Sequence, residues 1–425
     1  MSAVRGRMSA MTDPAAGYRT VVVPPERVAE FRQAASLAMP VRGDLLVDEA
    51  LPFPVPAGRA VAIETSDGTI VATHGSYPYT LPVPGGAVPC AGLTWVGVRP
   101  DHRRRGLMTA MVRTHAERSL ARGEAVSALF AAEAAIYGRF GYGCAADEVG
   151  LTLPRGAALR DVAGSADLTV ALVRFDADVH TALVEDLYVR AGVGRPGWLP
   201  RTPAELLTRR LADLPAMREG HEALLLATVL HGDDVRGVAL FARQEHWADA
   251  GPEFRVSVLQ ASALDAPATH RLWSFLLDLD LTATVATPAL AVDDPLLHLL
   301  VDLRPADRRV RDNLWVRLLD VPTALTARRY AAPLDVVLDV VDTLLPANAG
   351  HWRLVVDATG EARVARTDAE ADVCLDVREL GALYLGGRSA AALAAAGLVV
   401  GGRDVLGRVT AAFTSPLAPV SPGMF

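Results

Sequence analysis

One short run constrains the chain more than any other, because its pattern is that of a strand, a turn and the start of a helix. The run is Trp95-Val96-Gly97-Val98-Arg99-Pro100-Asp101-His102-Arg103-Arg104-Arg105-Gly106-Leu107. The first N–H groups of such a helix have no intrahelical partner and lie at the positive end of the helix dipole. We therefore predict a helix over Gly106–Arg122 whose start binds an anion such as a pyrophosphate. A solvated cationic helix start is the alternative.

Strand and helix patterns alternate along the rest of the chain, whose 425 residues fit about three domains. Val61–Glu64 and Thr69–Thr73 flank a Ser-Asp-Gly turn and predict a hairpin. We interpret the Pro/Gly-rich stretch Pro78–Pro89 as a connection to the strand at Gly92–Val98, and Val149–Leu153 as the strand that closes the first sheet. Pro154–Asp167 is Gly/Ala-rich and indicates a domain boundary.

The charged residues exclude several classes of function. The 42 cationic residues are all arginine, against 49 acidic ones, for a net charge of −7. Without lysine the chain cannot be a Schiff-base enzyme, a Gly-Lys-Ser/Thr phosphate loop or a kinase. Net acidity disfavours nucleic acid as a partner and mildly favours cationic substrates. No His-Glu-x-x-His or Gly-x-Ser-x-Gly pattern occurs, so we expect neither a zinc hydrolase nor a serine esterase, and no metal.

Three features predict a cytoplasmic protein with no membrane span. The longest apolar stretch, Ala390–Val400, is too short to cross a bilayer. Met1–Gly17 lacks the continuous apolar segment of a secretory signal. The three cysteines, Cys90, Cys144 and Cys374, are odd in number and far apart, which argues against a disulfide framework.

Arg103-x-x-Gly106 after an apolar strand resembles the Arg/Gln-x-x-Gly-x-Gly/Ala signature with which Gcn5-related N-acetyltransferases (GNATs) bind acetyl-CoA. Met108 departs from it at the last position. The runs His102–Leu107 and Ile136–Gly143, together with a terminal Phe425, resemble the Eis (enhanced intracellular survival) family of GNATs. Further similar runs extend the resemblance over the whole chain: Asp293–Leu300, Asn313–Arg317 and Leu383–Gly387.

This resemblance implies an α/β (α+β) fold with two tandem GNAT-like domains followed by a sterol-carrier-protein-like domain. We expect residues 1–158 to form the first domain, with the acetyl-CoA site. Residues 159–312 would form a central GNAT-like domain, which lacks the CoA signature. Residues 313–425 would form the third domain, whose C-terminus returns to the active site. The family assembles as a hexamer, so the resemblance also implies a homohexamer.

The resemblance further implies acetyl-CoA as co-substrate and assigns its site. The strand over Val96–Val98 would be splayed from its neighbour and bind the pantetheine arm and the acetyl carbonyl. Glu133 would lie beside this site, although a solvated carboxylate at a helix start is the simpler interpretation of it. The expected CoA-binding residues are Val96, Gly97, Val98, Arg103, Arg104, Arg105, Gly106, Leu107, Met108, Thr109, Ala132 and Glu133.

Two residues match the family's catalytic groups. Tyr137 matches the general acid that protonates the CoA sulfur, whereas a tyrosine in this setting taken alone would be a packing residue. Phe425 would supply its α-carboxylate as general base, which requires burial to raise a pKa of about 3.3–3.7. A frayed tail is the alternative for Phe425. The prolines at 416, 419 and 422 favour an extended tail that reaches over another domain.

Four positions of the expected substrate pocket depart from the family's residues. Met39 stands where an Asp is expected and Met424 where a Glu is expected. Phe130 occupies a position that can be His, and Trp95 one that can be Phe. These exchanges make the pocket more apolar, so a desolvated multicationic ligand would lack partners. We therefore expect acetyl transfer to a small-molecule or peptide amine, without broad aminoglycoside activity.

The leading hypothesis is thus an acetyl-CoA-dependent N-acetyltransferase that transfers the acetyl group directly to an amine. One alternative is a noncatalytic acyl-CoA- or lipid-binding protein that uses the sterol-carrier-like domain. Another is an acyltransferase with a longer acyl donor, which would depend on the space behind Val96. A tyrosine and a terminal phenylalanine in the catalytic positions favour the enzyme, because a binding protein needs neither.

Overall fold

The computed structural model describes residues 17–39 and 50–425, so the prediction for Met1–Gly17 lies, up to residue 16, outside the described residues. No helix in this part of the chain combines the length and the apolar character needed to cross a bilayer. The described helices are α1 (Val28–Ala38), α2 (Leu107–Ala121), α3 (Ala134–Tyr137), α4 (Ala177–Ala191), α5 (Ala204–Arg210), α6 (Ala266–Leu277), α7 (Pro295–Leu299), α8 (Val321–Thr326), α9 (Val377–Leu383), α10 (Ala390–Ala395) and α11 (Arg403–Phe413).

The described strands form three larger sheets and two short ribbons. In chain order they are β1 (Tyr18–Val22), β2 (Val61–Thr65), β3 (Ile70–Val83), β4 (Gly86–Val98), β5 (Val126–Leu129), β6 (Gly143–Cys144), β7 (Asp147–Gly150), β8 (Thr152–Pro154), β9 (Thr169–Arg174), β10 (Leu225–His231), β11 (Asp234–Gln244), β12 (Trp247–Ala248), β13 (Gly251–Pro252), β14 (Phe254–Ala263), β15 (Thr282–Ala286), β16 (Arg309–Asp312), β17 (Trp315–Leu318), β18 (Leu334–Val341), β19 (Gly350–Val356), β20 (Ala362–Arg366), β21 (Val373–Asp376) and β22 (Val399–Gly401).

The first sheet has the order β1-β2-β3-β4-β5-β17-β6. Its longest hairpin joins β3 to β4, and it includes most of the Pro/Gly-rich stretch that we interpreted as a connection. That interpretation is wrong because β2 covers β3 only as far as His74. The remainder of β3, including Pro78 and Pro82, pairs with β4 alone. Proline is tolerated on such a free strand edge because its missing N–H has no ladder partner there.

The strand beside β5 comes from far along the chain. Trp315 of β17 pairs with Leu129 of β5 on one side and with Cys144 of β6 on the other. Val149–Leu153, predicted to close the first sheet, instead contributes to β7, which pairs with β16, and to β8, which pairs with β15. The sheets therefore exchange strands near the expected boundaries at 158/159 and 312/313: β8 belongs to the second sheet and β17 to the first.

The second and third sheets form the other two layers of the molecule. The second has the order β8-β15-β14-β11-β10-β9, and α4 and α6 pack against it. The third has the order β20-β19-β18-β21-β22, and α9 and α11 cover it. After α11 ends at Phe413 the last residues are not helical, so the predicted extended tail is present.

A buried ion pair joins the first sheet to the third. Arg317 of β17 bonds both oxygens of Asp342 at 2.8 and 2.7 Å, and each side chain is only 1% exposed. Arg317 also donates to the carbonyl of Phe140, in the turn that follows α3. Asn348 completes the network by donating to Asp342 at 3.1 Å. The turn after α3 is thus fixed by the third layer of the molecule.

We expect Asp342→Asn to destabilise the protein by about 3–5 kcal/mol, because it leaves the Arg317 charge buried and unpaired. The midpoint of urea unfolding, followed by circular dichroism, measures the change. Asp335→Asn is the matched control on β18, since Asp335 pairs with Arg353 at 2.7 Å on the solvent-exposed face. An equal shift of the midpoint in both variants would contradict the special weight given to the buried pair.

Candidate active site

The central feature of the site is a gap between β4 and β5. The two strands run parallel and pair only through Cys90, Ala91 and Gly92, opposite Val126, Ser127 and Ala128. Beyond Gly92, β4 continues to Val98 with β3 as its partner, while β5 pairs with β17 on its far side. The two strands therefore separate after Gly92. The facing backbone groups of β4 are left without a strand partner.

A β-bulge turns the free half of β4. The register with β3 shifts between Thr73 and Gly75, so that Trp95 and Val96 together lie opposite a single residue. Trp95 has φ of 54°, in the left-handed region that non-glycine residues rarely adopt. The Thr73 hydroxyl donates to the Trp95 carbonyl at 2.9 Å and holds this conformation. The bulge therefore changes the direction in which the backbone of Val96–Val98 faces the gap.

The turn that ends β4 leads into α2 as the sequence predicted. Gly106 caps α2 with φ of 77°, and a Cβ added there would meet nothing within 4 Å. No side chain caps the helix and no acidic residue lies in its first turn. The space above Gly106 is thus open, and the N–H groups of the first turn face it. This is a suitable site for an anion.

The three arginines of this turn have different surroundings. The Arg105 guanidinium donates to the Tyr18 hydroxyl at 2.6 Å and to the Asp101 carbonyl at 3.1 Å. Arg103 makes two long contacts of 3.4 Å, to the carbonyls of Val98 and Ala38. Arg104 is exposed, has φ of 62°, and makes no hydrogen bond or ion pair with any described residue. Of the three, Arg104 is therefore the guanidinium most free to bind a ligand.

Tyr137 closes α3 on the other side of the gap. Its ring packs in an apolar cluster with Leu93 and Val96 of β4, Met108 of α2 and Leu129 of β5. Burial raises the pKa of Tyr137 to about 12, and the carboxylate of Glu133 acts in the same direction. The phenol therefore stays protonated around neutral pH, as a proton donor must.

The ring of Tyr137 is supported from below by a buried polar network. It lies edge-to-face on the Tyr142 ring, with centroids 6.1 Å apart. The Tyr142 hydroxyl and Nε2 of His115 lie 2.8 and 2.9 Å from the Ser127 hydroxyl, which donates to the Ala91 carbonyl at 3.0 Å. Ala91 and Ser127 are themselves paired residues of β4 and β5. The same network thus holds the last paired part of the two strands and the support of Tyr137.

The C-terminal tail crosses all three layers before it reaches the gap. Asp293 accepts from the Ala418 N–H at 2.8 Å. Asn313 holds Ser421 from both sides, accepting from its N–H at 2.8 Å and donating to its carbonyl at 3.0 Å. Val420 and Ser421 are fully buried. The predicted alternative of a frayed tail does not fit these contacts.

The ring of Phe425 lies where β4 and β5 separate. Its centroid is 4.9 Å from that of Tyr79, 5.9 Å from that of Tyr77 and 5.2 Å from that of Phe130. A Cβ at Gly92 would lie 2.5 Å from the Tyr79 ring and 3.0 Å from the Phe425 ring. Glycine at position 92 therefore leaves the space that the two rings fill.

The residues predicted for the substrate pocket lie in separate places. Phe130 contacts Phe425, whereas Trp95 packs against Phe31 and Phe53 with centroids 6.0 and 5.6 Å away. Met39 ends α1 next to Gly97 of β4. Met424 is 69% exposed. Of the other predicted residues, Thr109, Ala132 and Glu133 are exposed at the helix starts.

Sequence reasoning missed several residues that shape the site. Gly92, Tyr79 and Asn313 position the tail, and Arg201 and Arg210 line a narrow cavity beneath it. A glycine inside an apolar strand, such as Gly92, is a signal for close approach of another group and could have been used. The other contacts join distant parts of the chain and leave no local pattern. Within the described ranges there is no group of three or more His, Cys, Asp or Glu residues placed to hold a metal ion.

Comparison with known proteins decides the family. Models described as acetyltransferase (GNAT) domains match residues 31–145 and 197–318, and a sterol carrier protein domain model matches residues 321–422. The chain is 37% identical over 372 residues to the N-acetyltransferase Eis of Mycobacterium tuberculosis, covering 82% of this chain and 87% of the relative. The chain belongs to the Eis-like GNAT N-acetyltransferases. The predicted family and the order of two GNAT domains and a sterol-carrier-like domain are thereby confirmed.

Other relatives agree with this assignment. An uncharacterized N-acetyltransferase of Streptomyces coelicolor is 39% identical over 376 residues, covering 86% of this chain and 89% of its own. The crystal structure of Eis1 from Mycobacterium abscessus superposes with a TM-score of 0.79 at 31% identity, covering 96% of this chain and 100% of that one. A GCN5-related N-acetyltransferase of Anabaena variabilis shares the fold, with a TM-score of 0.81 at 20% identity. The chain is therefore an N-acetyltransferase, and its GNAT fold implies acetyl-CoA as co-substrate.

Proposed function

We propose that this chain transfers the acetyl group of acetyl-CoA directly to an amine, with Tyr137 as general acid and the α-carboxylate of Phe425 as general base. The observation that carries the proposal is that both groups border the gap between β4 and β5. Tyr137 packs against Val96 along one wall, and the Phe425 ring fills the apex beside Gly92. A gap with an acid on its wall and a carboxylate-bearing residue at its apex has the parts that amide formation requires.

The residues around the start of α2 fit the phosphate end of acetyl-CoA, which brings the acetyl group as a reactive thioester. Arg104 would bind the pyrophosphate directly, because it has no other partner among the described residues. The N–H groups of Leu107, Met108 and Thr109 would complete the cradle above the open face of Gly106. Arg105 would contribute mainly by fixing the turn through Tyr18. The free backbone of Val96–Val98 would orient the pantetheine arm.

The chemistry then needs two proton transfers. The amine nitrogen forms a bond to the acetyl carbon, and the bond from that carbon to sulfur breaks. The Phe425 carboxylate accepts the proton that the amine loses, and the Tyr137 hydroxyl gives its proton to the departing sulfur. The products are an amide and free CoA. The enzyme is restored when the proton on the carboxyl group is returned to the tyrosine oxygen through solvent.

Two substitutions should separate chemistry from binding. We expect Tyr137→Phe to lower kcat by about 10²–10⁴-fold, the range for a lost proton donor, with the KM for acetyl-CoA unchanged. Arg104→Ala should do the reverse, raising this KM by about 10- to 150-fold, since a charge-assisted contact contributes about 1.5–3 kcal/mol. Steady-state kinetics on both variants measures the split.

Two controls match these variants. Tyr142→Phe removes a neighbouring hydroxyl but keeps the ring, and Arg118→Ala removes an arginine from the far end of α2, where it bonds the Gly58 carbonyl. Both should retain the wild-type kcat and acetyl-CoA KM. Full activity of Tyr137→Phe would return Tyr137 to a packing role.

A single residue added after Phe425 should abolish turnover. It displaces the carboxylate by up to about 3.3–3.6 Å, whereas proton abstraction requires about 2.6–3.2 Å between base and amine. The CoA-release assay on chains ending in Phe425 or in Phe425 plus one glycine makes the comparison, with the uncleaved masses verified. An N-terminal tag is the control and should be harmless, as should acetyl-CoA binding by the extended chain. Turnover of the extended chain at the normal rate would place the base elsewhere.

We propose that the substrate is an amine with one positive charge and an apolar body. Aromatic rings surround the tail, with Phe130, Tyr77 and Tyr79 around Phe425. The charged groups that line the cavity beneath it are the two arginines 201 and 210. A ligand with several cationic groups would be repelled here and would find no carboxylates at positions 39 and 424.

Arylalkyl monoamines should therefore give higher kcat/KM than polyamines or aminoglycosides in the same CoA-release assay. Met424→Glu should shift the preference toward polyamines, because it adds a carboxylate at an exposed position beside the terminus. Met424→Gln is the uncharged control and should leave the preference as it is. Micromolar KM values for several aminoglycosides in the unaltered enzyme would contradict this substrate class.

A further inference from the structure

Two arginines of the central domain lie beneath the C-terminal tail. Arg201 precedes α5 and Arg210 ends it. Together with Tyr79, Tyr188 and the last three residues, 423–425, they line a narrow cavity between the first two domains. The mechanism proposed above uses neither arginine, although both come close to the residue that supplies its base.

The two guanidinium groups have too few anionic partners. Arg201 stacks on the Tyr188 ring, with Cζ 3.7 Å from the centroid, and reaches Glu185 at 3.4 Å. Arg210 makes no ion pair with any described residue, and its Nη2 is buried without a hydrogen-bond partner. Burial, and then the charge of Arg201, lowers the pKa of Arg210, yet an arginine remains protonated in proteins. One carboxylate therefore faces two buried cations.

The tail passes directly over the unpaired arginine. A Cβ placed on Gly423 would overlap the guanidinium of Arg210, so glycine at position 423 permits the contact. Upstream, Asn313 fixes Ser421. Downstream, the α-carboxylate of Phe425 follows only two residues later. A buried cation without an anion is costly, and this carboxylate would balance it.

We infer that Arg210 is the positioning residue for the terminal carboxylate: it seats the backbone at Gly423 and supplies the counter-charge that holds the Phe425 carboxylate at the apex of the gap. The inference rests on the proposed function. A carboxylate has two oxygens, so one can bind the guanidinium while the other accepts the proton of the amine. The charges under the tail then balance as Arg201 with Glu185 and Arg210 with the terminus.

Arg210→Ala tests this in the full-length enzyme. We expect kcat to fall by about 100-fold, the loss that a displacement of about 1 Å can cause, while the KM for acetyl-CoA stays unchanged. Added guanidinium ion should restore part of the kcat, whereas sodium chloride at equal ionic strength should not. Arg190→Ala removes an exposed arginine of α4 that pairs with Asp186, and it should behave as the wild type.

Gly423→Ala provides the second arm, because its added methyl group meets the Arg210 side chain. The single variant should lose activity, and the loss should disappear when Arg210→Ala is combined with it, so that the double variant is no worse than Arg210→Ala. Thermal unfolding with and without acetyl-CoA verifies that each variant is folded. A folded Arg210→Ala enzyme with normal kcat overturns the inference. So does a Gly423→Ala loss of equal size in both backgrounds.

The result also separates this inference from the proposed base. If the one-residue extension after Phe425 abolishes turnover but Arg210→Ala does not, the base stands and the role of Arg210 is wrong. If the extended chain turns over normally, the base is wrong, and the inference falls with it. If Arg210→Ala raises only the KM for the amine, Arg210 contacts substrate, which also overturns the positioning role.

Discussion

The separation of β4 and β5 after Gly92 is the constraint on which the site depends. Parallel strands normally continue to pair, so something must stop them. Here β5 is short and its far edge pairs with β17, while the bulge at Trp95 turns β4 away. The Ser127 hydroxyl then ties the last paired residues together by donating to Ala91. The gap is therefore built into the backbone and does not depend on a ligand to open it.

The apex of the gap depends in turn on parts of the chain that are distant in sequence. The Phe425 ring fits only because Gly92 has no side chain, and it arrives there because Asn313 and Asp293 fix the tail. Arg317, next to the same strand exchange, anchors the turn after α3 through the Phe140 carbonyl. The third domain thus positions both ends of the proposed chemistry, although it contributes no other group to it.

The parts that the sequence predicted are those fixed by local pattern. The run from Trp95 to Leu107 predicts its strand, turn and helix, because periodicity, glycine and the helix start all lie within one stretch. The insertion of β17 beside β5 was not predictable in this way, since nothing in Trp315–Leu318 distinguishes that partner from another sheet. Pro78 and Pro82 gave a misleading signal because proline disfavours only paired strand interiors, and here one edge of β3 is free. The residues beneath the tail, such as Arg210, required the fold before their proximity to Gly423 could be seen.

The absence of lysine acquires a structural meaning at the joints between domains. Arg328 is 1% exposed and donates to the carbonyls of Tyr384 and Phe413 at 2.5 and 2.7 Å while its guanidinium lies over the Tyr330 ring. Arg388 bonds both oxygens of Asp147 at 2.7 Å. A planar fork can bind two acceptors and stack on a ring at once, whereas an ammonium group is a single point of charge. Rigid joints of this kind suit a site whose parts come from three domains, because a small shift at any joint would move the tail away from the gap.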